Sequence, residues 1–224
     1  MDAVIDTKRL SVADTAAQLR EVVGQSFGPA EAVGATPASD VDLDVVVVTG
    51  PRAAGTSTVA FGLAMRRWRA NRKTGFLDLQ QLGFLAKNGR PATDLDLSIG
   101  QTAAMHRLMA ARGAELLVVS GHLAASDRAV LERSLPKASL TVVRLRADEP
   151  TLREHVRART EGSAARLAGD DLLSASQEHQ DLVIATALAE QATLDGSSID
   201  DAVLDVSGKT AEETITQVEA LIRP

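Results

Sequence analysis

Val45-Val46-Val47-Val48-Thr49-Gly50-Pro51-Arg52-Ala53-Ala54-Gly55-Thr56-Ser57-Thr58 reads as a buried strand running into a phosphate-binding loop. Four consecutive β-branched apolar residues suit a strand covered on both faces, as in a parallel sheet. Gly50 and Gly55 then bracket a turn in which successive backbone N–H groups can point inward. A helix opening near Thr56 adds its unpaired amides and positive dipole end, which makes the turn a place where anions collect. In the full pattern, G-x-x-x-x-G-K-[ST], the lysine reaches the β- and γ-phosphates and the hydroxyl holds Mg²⁺. Gly50, Gly55 and Ser57 satisfy that pattern, whereas Thr56 stands at the lysine position. The segment after the loop, Val59-Ala60-Phe61-Gly62-Leu63-Ala64-Met65-Arg66-Arg67-Trp68, has the helical character the motif requires.

Length and composition fit one α/β domain with a full core, at 224 residues with 45% hydrophobic and 24% charged. A net charge of −6 argues against general affinity for nucleic acid or an anionic membrane, since both need clustered positive charge. The absence of cysteine excludes disulfides, thiolate metal sites and cysteine nucleophiles. No run approaches the roughly 18 apolar residues of a membrane helix. The start, Met1-Asp2-Ala3-Val4-Ile5-Asp6, lacks a basic-then-apolar export signal, so a cytoplasmic location is expected. With four Phe, one Trp and no Tyr, the core has to be aliphatic and base-stacking platforms are not expected.

Along the chain, helical periodicity over residues 9–27 ends at Gly28-Pro29, and a Gly/Pro/Ala/Ser-rich link follows to Ser39. We read residues 1–40 as an N-terminal helix and linker and 41–224 as the main domain. The helix is expected to pack on a sheet edge, a partner-seeking arm being the alternative. Further strands are expected at 74–79, 115–121, 140–145 and 202–206. Helices are expected near 98–112, 124–135, 149–159, 174–194 and 210–222, with a polar linker around Asn88-Gly89-Arg90-Pro91 and a loop over 160–173. Five strands separated by helices form the signature of a mostly parallel sheet with helices on both faces.

Other residues stand out for their chemistry. Asp78, at the end of the second strand, is placed where doubly wound sheets hold ligand groups, and a carboxylate there could take a proton or orient Mg²⁺ through water. Ser120 and His122 close the third strand where a metal-orienting aspartate is common, and are read as a tight turn beside the site. His106, His155 and His179 lack ligand-like spacing and are read as surface residues of helices. Arg153 and Arg157 are read as solvated helix residues. Arg159 and Arg166 flank a glycine-containing loop and are candidates for a mobile lid that clamps phosphates.

These parts in this order resemble the P-loop kinase superfamily, with its shikimate-, gluconate- and adenylylsulfate-kinase-like folds. More closely, the chain is similar to uncharacterised actinobacterial ATP-binding proteins carrying "TGPxxxGKST", "VDxDQLG" and "LRADxxxLRxR…LAGDDL" segments. These appear here at Thr49 to Thr58, at Leu77 to Gly83, and from Leu145-Arg146-Ala147-Asp148 to Leu167-Ala168-Gly169-Asp170-Asp171-Leu172. The resemblance implies a P-loop NTPase fold, with a five-stranded sheet and a small Arg-bearing lid. It also implies ATP and Mg²⁺ as ligands, held by Gly50, Pro51, Arg52, Ala53, Ala54, Gly55, Thr56, Ser57 and Thr58, with Ser57 on the metal and Asp78, Arg159 and Arg166 in catalytic roles. Two departures fall on motif positions, Thr56 for lysine and Gln80 for the second aspartate. A charge-assisted hydrogen bond is worth roughly 1.5–3 kcal/mol, so loss of the lysine is expected to weaken triphosphate binding by about one to two decades.

The expectation is therefore a nucleotide-binding protein related to small-molecule kinases, its turnover in question, with a nucleotide and a small phosphate acceptor as partners. The alternative is a non-catalytic binding or scaffolding protein that uses its N-terminal segment to meet a partner or a second copy as a homodimer.

Overall fold

The computed structural model describes residues 40–82, 84–87, 90–124, 126–162 and 172–222, together with residues 11, 13–15, 17, 18 and 21. By its internal contacts the chain divides into Met1–Ala35 and Thr36–Pro224. In the first unit the described residues 13–15, 17, 18 and 21 are helical. Ser11 Oγ opens this turn by accepting the Asp14 amide at 3.1 Å. The remainder of the expected 9–27 helix, and the link to Ser39, lie outside the described residues.

The second unit is a five-stranded sheet. Strand β1 (Val45–Thr49) leads to α1 (Thr56–Arg69), then β2 (Thr74–Asp78), a one-turn 3₁₀ helix at Leu79–Gln81, and the strands β3 (Phe84–Lys87) and β4 (Arg90–Thr93). Helix α2 (Leu95–Ala111), β5 (Leu116–Ser120), α3 (Asp127–Ser134), β6 (Leu140–Arg146), α4 (Glu149–Thr160), α5 (Gln177–Asp195), β7 (Ala202–Asp205) and α6 (Ala211–Leu221) complete it. The strand order is β2-β5-β1-β6-β7 and every pairing is parallel.

Central β1 shows why its valines read as they do. All five residues are buried. Val46 and Val48 join a cluster with Val59, Ala60 and Leu63 of α1 and with Ile215 and Val218 of α6. Val45 and Val47 pack on the other face against Ile99 and Ala103 of α2 and Leu131 of α3. The side-chain period of two thus sends alternate valines into two separate cores, and a run with no polar position is the result.

The expected polar linker at Asn88-Gly89-Arg90-Pro91 has to be corrected. Phe84–Lys87 pairs antiparallel with Arg90–Thr93, Lys87 opposite Arg90, in a two-stranded ribbon apart from the main sheet. Two residues, Asn-Gly, separate those partners, and that dipeptide is the strongest short hairpin signal a sequence carries. Pro91 is compatible with such a ribbon because each of its strands has an unpaired edge.

The core position Leu117 is fully buried, while Leu182 is 62% exposed. Leu117→Ala is expected to lower stability by about 2–5 kcal/mol and Leu182→Ala by no more than about 0.5 kcal/mol, both read by chemical denaturation.

Candidate functional site

The chain leaves β1 through a turn that tolerates no side chain at its first residue. A Cβ on Gly50 would lie 2.7 Å from the carbonyl oxygen of Leu145, on the neighbouring strand β6. Past Pro51 and Arg52 the backbone turns left-handed at Ala53 (φ 62) and again at Gly55 (φ 89), the residue that caps α1. Glycine offers no capping oxygen, so no side chain caps this helix. Four of the other helices start on a side-chain cap, from Asp94, Asp148, Ser176 and Thr210. Among the described residues, the amides of Gly55, Thr56, Ser57 and Thr58 have no protein acceptor, whereas Ala54 N–H is closed onto Pro51 O at 3.2 Å and Val59 N–H onto Gly55 O at 2.9 Å. Open amides at the positive end of α1 form a floor of a kind that can accept an anion.

This floor belongs to a cleft of about 950 Å³ at the carboxyl edge of the sheet, where open α/β folds bind ligands. All nine loop residues from Gly50 to Thr58 line it. Ser57 and Thr56 are half-buried there. The Thr56 methyl Cγ2 lies 3.4 Å from where a Gly50 Cβ would be, so the β-branched side chain turns back over the loop. Leu79, Gln80 and Gln81 build one wall and His122 another, with further lining from α4, α5, the turn after β7, and the ends of α2, α3 and α6.

Arg52, a candidate to supply the charge missing at Thr56, is committed elsewhere. Its guanidinium holds Glu190 of α5 through Nε at 2.9 Å and Nη2 at 2.7 Å, and its own amide donates to the second carboxylate oxygen at 2.8 Å. Burial works to raise the Glu190 carboxyl, but the side-chain and backbone bonds from Arg52 outweigh it, and its pKa lies below the ordinary value.

Asp78 sits at the end of β2 as expected, but the cleft wall is made by the residues that follow it. The residue is 7% exposed, and its Oδ1 accepts the Gln80 amide at 2.9 Å, capping the 3₁₀ turn. The second oxygen, Oδ2, and the Ser120 Oγ are both buried without a partner among the described residues. Asp78 and Ser120 are register partners across β2 and β5. Two such atoms side by side are unusual, since buried polar groups are nearly always bonded. Arg159 lines the cleft from α4. Arg166, with most of the expected lid, lies outside the described residues.

The histidine expectations need correction. His106 is fully buried, its Nε2 at 2.7 Å from Leu43 O. His155 and His179 are not simply surface residues, for both line the cleft. Periodicity placed them on helices correctly, but their facing depends on how α4 and α5 pack on the loop. Arg153 bonds Glu149 and Asp181, and Arg157 bonds Glu161, on the exposed side of α4, as expected. Sequence reasoning missed Glu190, which meets the loop from 138 residues away, and Lys209, which lines the cleft after β7. The latter was legible in Ser207-Gly208-Lys209-Thr210, a turn at the carboxyl end of a parallel strand.

No protein-family model matches the chain, and no curated protein sequence matches it. Among solved structures the chain is similar to a gluconokinase from Sinorhizobium meliloti, with 23% identity, 84% of this chain and 92% of that one covered, and a TM-score of 0.50. A protein from Eubacterium ventriosum aligns over 80% of this chain and 97% of its own, at 13% identity and a TM-score of 0.49. Among the described residues no helix is long and apolar enough to cross a membrane.

A carboxylate whose folded pKa is depressed contributes stability that is complete above its unfolded pKa, near 4.3 for glutamate, and is lost as pH falls through the lower folded value. Glu190→Gln is therefore expected to cost on the order of 1 kcal/mol at pH 7, Arg52 being half-exposed. In chemical denaturation that difference should persist down to about pH 4 and shrink below it. With five parallel strands in this order and helices between them, the chain has the α/β fold of the gluconokinase structure to which it is similar.

Proposed function

We propose that this chain binds a nucleotide, ATP with Mg²⁺, at the Gly50–Thr58 loop, and that it is related to small-molecule kinases with turnover limited by the threonine at position 56. One observation carries the reading, namely the uncapped start of α1, whose Gly55 to Thr58 amides lie open on the floor of the cleft. The residues fit the ligand. Phosphate oxygens would take the open amides, and the half-buried Ser57 hydroxyl would hold the metal, which supplies charge neutralisation when bound. Asp78 Oδ2 and Ser120 Oγ, buried behind the Leu79–Gln81 wall, have no hydrogen-bond partner among the described residues. Arg159, and in our reading Arg166, are the cations for a transferring phosphoryl group. Gly50 and Ala53 keep the cradle in shape, and the Arg52–Glu190 pair anchors it to α5.

The reading takes residues 41–224 as the catalytic-type domain and residues 1–40 as an appendage, in a protein of the cytoplasm. Its partners are the nucleotide and a small phosphate acceptor, without nucleic acid or membrane. A second reading is favoured by Thr56, by the engagement of Arg52 and by the burial of Asp78. On it the chain is a non-catalytic binding or scaffolding protein whose N-terminal segment meets a partner or a second copy.

Calorimetric titration with ATP and Mg²⁺ tests the first reading. Wild type should bind in the high-micromolar to millimolar range, and Thr56→Lys should gain at least about tenfold. Phosphate release or transfer that disappears in Ser57→Ala would establish turnover. A flat titration at millimolar nucleotide in both wild type and Thr56→Lys would favour the scaffolding reading.

A further inference from the structure

Two helices start at the loop cleft and leave it side by side. Thr56 to Val59 of α1 line it together with Ala211 and Thr214 of α6. One turn further on, the two helices meet so closely that a Cβ on Gly62 would lie 2.4 Å from Ile215 Cδ1. Thr56 and Lys209 each stand six residues before that contact, so the loop position that lacks its lysine and a lysine elsewhere in the chain lie at the same level on neighbouring helix starts. Packed helices have axes about 8–10 Å apart. An ammonium on a flexible four-carbon stem and a phosphate group can together bridge that gap.

The turn that carries Lys209 is fixed on several sides. Buried Val206 belongs to the cluster that holds Ala54 and Val59, and its carbonyl accepts the Lys209 amide at 3.0 Å. Ser207 Oγ accepts the Asp148 amide at 2.9 Å, and Thr151 Oγ1 accepts the Gly208 amide at 3.4 Å. The start of α6 is closed by the reciprocal cap of Thr210 and Glu213. What this turn offers the cleft is therefore the half-buried lysine itself.

The ammonium is held lightly. Its Nζ donates to the neutral amide oxygen Oε1 of Gln217 at 3.2 Å. The carboxyls of Asp205 and Glu213 are held below their ordinary range chiefly by bonds from Ser207 and Thr210, with a smaller pull from Lys209, and neither forms an ion pair with it. Arg52 would have to give up the carboxylate of Glu190 to reach a ligand, whereas Lys209 gives up only an uncharged partner. An ammonium gains more from a multiply charged phosphate than from an amide, so the exchange is favourable. Resting on the reading of the loop as a polyphosphate site, we propose that Lys209 exchanges Gln217 for the bound polyphosphate, inorganic or nucleoside-borne, and supplies from the start of α6 the cation that position 56 lacks.

Calorimetry with tripolyphosphate and, separately, ATP, each with Mg²⁺, compares wild type with Lys209→Met, Lys209→Arg and Gln217→Ala, and repeats Lys209→Met in Thr56→Lys. Lys209→Met keeps the stem and removes the charge. It is expected to weaken both ligands about tenfold, and Lys209→Arg to recover most of the loss. In Thr56→Lys the same substitution should cost no more than about threefold, because the loop then carries its own cation. Gln217→Ala releases the ammonium and should bind at least as tightly as wild type. Thermal unfolding checks each variant's fold, and Lys209→Gln is the second charge-free variant should Lys209→Met unfold. Tripolyphosphate binding unchanged by Lys209→Met overturns the proposal, since a loss confined to ATP marks a contact to the nucleoside. A loss as large in Thr56→Lys as in wild type, or Gln217→Ala weakening binding as much as Lys209→Met, also overturns it. So does binding by Thr56→Lys with none by wild type. Each of these results leaves the nucleotide reading standing, whereas absence of binding by both wild type and Thr56→Lys overturns both.

Discussion

The chain can pass from β1 into α1 only by bringing its backbone against the Leu145 carbonyl of β6, and glycine at position 50 is what permits the approach. From that contact the rest of the site takes its place. The turn is tight enough to leave Ala53 and Gly55 left-handed, and it delivers the first turn of α1 to the sheet edge with its amides uncapped. Around it the protein closes its own loose ends. Arg52 is tied to α5, and His122 and His155 bond the Gly50 and Ala53 carbonyls. The carbonyls of Gly50, Pro51, Ala53 and Gly55 are bonded within the protein while the donors at the helix start stay open, an arrangement suited to an anion before any side-chain charge is considered.

Position 56 decides how far that selectivity goes. A lysine would bring a mobile cation over the phosphates, whereas threonine brings a methyl group folded back over the loop and a short hydroxyl. The backbone contribution survives the exchange, because amide directions are set by Gly50, Ala53 and Gly55. The charge does not survive, and its loss bears more heavily on phosphoryl transfer than on binding, since stabilising developing charge is most of what such a site contributes. The nearby arginine at position 52 offers no replacement while Glu190 holds it. On the proposed reading, binding without efficient turnover is the expected state.

Much of this was legible from the residues. The uninterrupted valines of β1 announced a strand buried on both faces, and the spacing of Gly50, Gly55 and Ser57 announced the tight turn into α1, because both are local patterns with a direct physical cause. Helix and strand boundaries elsewhere fell within a few residues of expectation for the same reason. The Asn-Gly hairpin was written in the sequence and read as a linker, its flanks being short and mixed. Glu190, His155 and His179 were beyond local reading. Their importance depends on which face of α4 and α5 meets the loop, a property of packing between segments more than 100 residues apart. Asp78 was placed on the right strand, but its burial beneath Leu79 to Gln81 follows from a one-turn 3₁₀ helix that leaves no periodic trace.

The central claim is that main-chain amides at the start of α1 receive a polyphosphate. Titrating inorganic tripolyphosphate into ¹⁵N-labelled protein and following the amide resonances tests it at the atoms concerned. The account predicts that the Gly55, Thr56, Ser57 and Thr58 signals shift together and saturably, with the β7 residues Ala202 to Asp205 unmoved. Saturable binding that leaves those four signals in place and moves others would contradict it.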